Sequence, residues 1–205
     1  AVRTLRRQRL LLDELNHRVK NTLANVLSIA SQTLRPTRDL NAAKADFEAR
    51  VIALSKAHNL LSERQWASTD LASILCQEVS AYGHDRVDAS GPHVSLNPKS
   101  SIAFALLIHE LTTNAAKYGS LSAQAGKVTV GWTCDTESLV LSWTETGGPP
   151  VVAPARPGFG SRMMDRVVAG ELGGRFQADY AQTGFSCRVT VPKHVLGEME
   201  DDGSR

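Results

Sequence analysis

His109-Glu110-Leu111-Thr112-Thr113-Asn114-Ala115-Ala116-Lys117-Tyr118-Gly119 is the stretch on which the fold turns. It closes a segment that opens with Asn97 and Pro98, a cap residue followed by proline at the first helical position, so a helix is predicted over 97–118. Glu110, Asn114 and Lys117 recur at i, i+4 and i+7 and share one face of it. Ala103, Leu107, Leu111 and Ala115 form the opposite, apolar face and bury. A carboxylate, a carboxamide and an amine in one row suit polyphosphate and a hard cation. An Asn oxygen can ligate Mg²⁺, a carboxylate can take a proton or orient water, and a Lys can neutralise phosphate charge. By itself, such spacing more often marks a plain amphipathic helix, so the rest of the chain must decide.

Upstream, a helix is predicted over 70–82, capped by Asp70, with an extended piece at Arg86 to Ala89. Downstream, Lys127 to Thr133 and Ser138 to Trp143 alternate as the strands of a hairpin. A Gly- and Pro-rich loop spans Gly147 to Gly160; a helix from Ser161 to Leu172 and strands at 175–180 and 185–191 follow. This order predicts a two-layer α/β sandwich, an antiparallel-rich sheet with helices on one face. Two glycine clusters punctuate it: Trp143-Thr144-Glu145-Thr146-Gly147-Gly148-Pro149-Pro150, and Gly158-Phe159-Gly160-Ser161 opening a helix. Glycines let backbone approach a ligand closely, and a helix N-terminus attracts anions. Neither cluster has the setting of a Rossmann unit, and no Walker-type Gly-Lys-Ser/Thr occurs.

The first third of the chain differs. Residues 2–34 contain neither Gly nor Pro, and Leu12, Leu15, Val19, Thr22, Val26, Ile29 and Thr33 recur at alternating steps of three and four. That is a heptad stripe. Residues 40–64 repeat it at Phe47, Val51, Leu54, His58 and Leu61, after a connection at 36–39. The pattern predicts an antiparallel helical hairpin, and two copies would complete a four-helix bundle. On this register His17 takes the f position, facing solvent beside Arg18, Lys20 and Asn21. Alone, such a histidine is more often a surface residue without a role. The expected organisation is α+β: a hairpin at 1–66, a sandwich at 67–196 and a polar tail at 197–205.

Composition narrows the partners. The chain has 205 residues, 42% hydrophobic and 21% charged, the balance of a soluble globular protein. A net charge of +2 argues against nucleic acid as a partner, and the basic run at Arg3, Arg6, Arg7 and Arg9 reads as a solvated helix face. Cys76, Cys134 and Cys187 are odd in number and lack CxxC spacing, so neither a disulfide framework nor a zinc site is indicated. No apolar run is long enough to cross a membrane. A cytoplasmic fragment of a longer protein, beginning within a helix, is the expectation.

The motifs together resemble one family. Asn16-His17-Arg18-Val19-Lys20-Asn21-Thr22-Leu23 resembles the phosphoacceptor box of the HWE sensor histidine kinases. The stretch 109–122 resembles their N box, and Trp143-Thr144-Glu145 with Gly147-Gly148-Pro149 their first glycine box. The resemblance spans residues 10–192. It implies a Bergerat-type ATP-binding domain as in gyrase-type ATPases, ATP and Mg²⁺ as substrate and cofactor, and His17 as the phosphorylated residue. Asn114 would hold Mg²⁺, with Glu110 as the acidic catalytic residue. His109, Lys117, Tyr118, Glu145, Gly147, Gly158 and Gly160 would contribute to the nucleotide site, Glu145 through the adenine amino group. It further implies a homodimer, an upstream sensor domain, and transfer to an Asp on the receiver domain of a response regulator. Arg18 stands where commoner histidine kinases carry an acid, leaving Glu14 and Glu110 as candidates for the proton acceptor. A gyrase-type ATPase, a serine kinase on the same fold, and an inactive dimerisation scaffold are the competing readings.

Overall fold

A computed structural model describes residues 26, 27, 29, 30, 40–63, 69–83, 85–153 and 159–197. His17, Gly158, most of the first predicted helix and the polar tail lie outside the described residues. The chain divides into two compact units, residues 1–51 and 52–205. In the first, residues 26, 27, 29 and 30 are helical and Ile29 is buried. Helix α1, Leu40–Glu63, agrees with the predicted second helix and begins in this unit, where Ala43 and Arg50 are buried.

The second unit carries β1 (Thr69–Asp70), α2 (Leu71–Val79), β2 (Val87–Ser90), β3 (Ser95–Leu96) and α3 (Pro98–Lys117). There follow β4 (Lys127–Cys134), β5 (Ser138–Thr146), α4 (Phe159–Arg166), β6 (Arg175–Ala181) and β7 (Gly184–Pro192). Five strands form one sheet in the order β2-β4-β5-β7-β6, antiparallel except where β2 runs parallel to β4. The mixed sandwich is as the sequence predicts. The β1–β3 pair is an addition: two residues per strand are too few for alternation to be visible.

Strand periodicity builds the core. Val128, Val130 and Trp132 on β4, Leu139, Leu141 and Trp143 on β5, and Cys187, Val189 and Val191 on β7 are all buried at every second position. Register aligns Trp143 with Val130 and Cys187, and Leu141 with Trp132 and Val189. Leu71, Ile74 and Leu75 of α2, and Phe104, Leu107, Ile108, Leu111 and Ala115 of α3, supply the helical layer with Met163 and Met164 of α4. Each large side chain so buried contributes about 1.5–3 kcal/mol.

Element ends differ from the sequence reading for local reasons. Asn97 caps α3 as expected, its Oδ1 accepting from Ser100 N–H at 2.8 Å. Asp70 stands at the N-cap of α2 but makes no capping bond. Its Oδ1 instead accepts from Val94 N–H at 3.1 Å and lies 3.0 Å from His93 Nδ1. Helix α2 ends at Val79 and continues as a 3₁₀ turn, Ser80–Tyr82. Helix α4 ends at Arg166 and widens into a π-helical turn, Val167–Glu171.

The β4–β5 turn is set by one carboxylate. Asp135 Oδ1 accepts from Ser138 N–H at 2.7 Å and Glu137 N–H at 2.8 Å, and these two donors hold its carboxyl below the usual carboxylate range. A depressed folded-state value means stability present above the unfolded value and lost as pH falls through the folded one. Asp135→Ala should therefore lower the melting temperature at pH 7. The gap to the parent should close on acidification below about pH 4, as thermal melts across pH would record.

Candidate nucleotide site

Strand parity explains the first half of the site. Positions 139, 141, 143 and 145 of β5 all face the helices, so a carboxylate, Glu145, occupies a core position and is 4% exposed. A buried carboxylate must be hydrogen-bonded. Trp143 Nε1, two residues back on the same face, donates to Glu145 Oε1 at 3.1 Å, and Ser120 N–H donates to Oε2 at 2.8 Å. Each oxygen keeps a further lone pair. Ser120 Oγ is buried beside it and has no hydrogen-bond partner among the described residues.

The backbone closes tightly round this carboxylate. A Cβ on Gly119 would collide with Glu145 Oε2, and one on Gly148 would stand 2.5 Å from Ser120 Cα. Gly147, at φ +69°, lies against the carbonyl of Ala125. Arg86 secures the facing loop: its guanidinium donates to Ala123 O at 2.5 Å, Gly126 O at 3.1 Å and Leu121 O at 3.3 Å. Cys187, paired with Trp143 across β5 and β7, feels the same surroundings. Burial, and then the Glu145 charge, push its thiol up to about 12.

The second half lies on α3. Glu110 is 4% exposed and Asn114 half-buried, one turn apart as their spacing requires. Gly160, in the first turn of α4, sits over both: a Cβ there would be 3.2 Å from Asn114 Nδ2, 3.6 Å from Asn114 Oδ1 and 3.6 Å from Glu110 Oε2. That turn is tied to the sheet, since Ser161 Oγ lies 3.3 Å from Tyr180 Oη and the Tyr180 ring packs on Phe185 with centroids 5.2 Å apart.

The residues singled out in the sequence thus separate into groups. Glu110, Asn114 and Gly160 come together, while Glu145 joins Gly119, Ser120 and Gly148. Lys117 is exposed in the last turn of α3, and Tyr118 follows it at 72% exposure. His109 lies elsewhere: its Nδ1 is 3.0 Å from Glu78 Oε2 on α2. Arg86, Ser120 and Glu78 were not singled out by sequence reasoning, because no spacing rule links residues 25 to 40 positions apart.

Comparison with known proteins places the chain beside histidine kinases. The HWE histidine kinase family matches residues 14–93. The blue-light-activated histidine kinase of Brucella ovis is 36% identical over 186 residues, covering 87% of this chain. That of Brucella anthropi is 37% identical over 188 residues. Residues 14–93 of the chain are therefore of HWE histidine kinase type. It spans 38% of the length of these curated relatives. Among solved structures, the Erythrobacter litoralis EL346 blue-light activated histidine kinase superposes with a TM-score of 0.66 at 22% identity, over 88% of this chain and 58% of that one. Its isolated histidine kinase domain gives 0.61 at 16% identity, over 88% and 98%. At these identities the likeness is one of fold.

Two outcomes test the geometry. Gly119→Ala should displace the Glu145 carboxylate and destabilise the protein by about 1–3 kcal/mol in urea titrations. Gly131→Ala, where no atom lies within 4 Å, should cost far less. Separately, Cys187 should resist alkylation at pH 8 in the folded protein, whereas the exposed Cys76 is modified, as peptide mass mapping would report.

Proposed function

We propose that the chain is an autophosphorylating histidine kinase core, in which unit 52–205 binds ATP and His17 receives its γ-phosphoryl group. The observation carrying this reading is the paired arrangement of Glu145 in a cradle closed by Gly119 and Gly148 and of Glu110–Asn114 beneath Gly160. The first suits a purine amino group, which the spare lone pairs of Glu145 can accept. Ser120 Oγ adds unused hydrogen-bonding capacity at the same place. The second suits the phosphate end: two oxygen donors, one of them charged, fit Mg²⁺.

Among the described residues no cluster of three or more His, Cys, Asp or Glu could hold a metal. Phosphate oxygens would therefore complete the coordination that Asn114 begins, and bound Mg²⁺ would supply charge neutralisation there. Glu110, one turn back, orients that end. The first turn of α4 presents backbone N–H groups and the positive end of its dipole. Lys117, exposed in the last turn of α3, adds a positive charge.

In transfer, a neutral ring nitrogen of His17 attacks phosphorus, the bond to the β-phosphate oxygen breaks, and ADP departs. The ring proton leaves to Glu14 or Glu110. The phosphoramidate then passes its phosphoryl group to an Asp of a response regulator receiver domain. We further read residues 1–66 as the helical hairpin that carries His17 and pairs two copies of the chain. The cytoplasm is the expected site of action; among the described residues no helix is long and apolar enough to cross a membrane.

Incubation with γ-labelled ATP tests the assignment. His17→Ala should take up no label while binding ATP normally; label persisting in that variant would place the acceptor elsewhere. Glu145→Ala should weaken ATP binding by about tenfold or more, the worth of a charge-assisted hydrogen bond, as calorimetry would measure.

A further inference from the structure

Glu78 takes no part in the chemistry above, yet its side chain is only 6% exposed. Its Oε2 lies 3.0 Å from Nδ1 of His109, itself 18% exposed. A carboxylate so withdrawn from water needs a partner. His109 supplies one, as a neutral ring protonated on Nδ1 or as a cation. The buried residues of α2 are Leu71, Ile74, Leu75 and Val79, all apolar. Apolar packing is non-directional and tolerates small rotations of one helix on another. A hydrogen bond between two largely buried side chains does not.

We propose that Glu78 is a positioning residue: by holding His109 it fixes the rotation of α3 about its axis, and with it where Glu110 and Asn114 stand beneath Gly160. His109 and Glu110 are consecutive on one helix, so fixing the azimuth of the first fixes that of the second. The pair touches no reacting atom. A displacement of about 1 Å at a phosphoryl-transfer site can cost on the order of a hundredfold in rate, while Glu145 continues to hold the nucleotide from β5. Loss of the pair therefore acts on turnover and spares binding. This inference rests on the reading of Glu110 and Asn114 as the phosphate-end residues.

The test uses the whole chain, with autophosphorylation measured at saturating Mg-ATP and ADP affinity measured in EDTA by calorimetry. Glu78→Met should slow phosphorylation by about tenfold or more and change the ADP Kd by less than about threefold. Glu78→Gln keeps an acceptor for Nδ1–H and should restore the rate to within about threefold of the parent. His109→Leu should match Glu78→Met, and the double variant should be no slower than either, the signature of two residues acting as one unit. A Glu78→Met rate within twofold of the parent, alongside an inactive Glu110→Gln, overturns the proposal. So does equal slowing by Glu78→Gln and Glu78→Met, or loss of ADP binding in both Glu78→Met and His109→Leu, since either makes the pair merely structural. Full activity in Glu110→Gln overturns the site reading itself, and this inference with it.

Discussion

One carboxylate in the wrong place for a hydrophobic core organises one end of the sandwich. Glu145 continues the series Leu139, Leu141, Trp143 on the helix-facing side of β5. Left unpaired there, it would cost several kcal/mol of desolvation. The neighbourhood meets that demand with an indole N–H from its own strand and a backbone N–H from the loop after α3. The loop can come that close because Gly119 and Gly148 carry no side chains, and it stays there because Arg86 binds three of its carbonyls. A core position thus tolerates a charge because of its neighbours.

Helix α3 links this end to the other. Its apolar side packs into the core through Phe104, Leu107, Ile108 and Leu111. The same turns that bury those residues aim Glu110 and Asn114 at Gly160, and the helix end delivers Gly119 and Ser120 to Glu145. One rigid element therefore spaces the two halves of the site. Its placement against α2 sets where Glu110 and Asn114 stand, and the polar pair Glu78 with His109 gives the contact between those helices a direction.

The HWE motif residues accordingly do different kinds of work. Trp143 and Glu145 interact with each other, the indole orienting the carboxylate. The N-box histidine, His109, meets Glu78 of α2. Adjacent residues of a helix point about 100° apart, so a motif written as His-Glu places its two members on different surfaces.

Periodicity alone determined much of this protein. The i, i+4 spacing of Glu110 and Asn114, the strand alternation in β4 and β5, and the Asn97-Pro98 helix start are local properties, set by backbone geometry and legible without a fold. The resemblance around His17, Asn114 and Glu145 assigned those residues to a family. Tertiary structure decided what no local rule reaches. Asp70 abandons its helix cap for Val94 and His93, Ser120 meets Glu145 across 25 residues, and Glu78 meets His109 across 31. Buried charges take whatever partner the fold brings within 3 Å, and which partner that is depends on strand order and helix packing, not on distance along the chain.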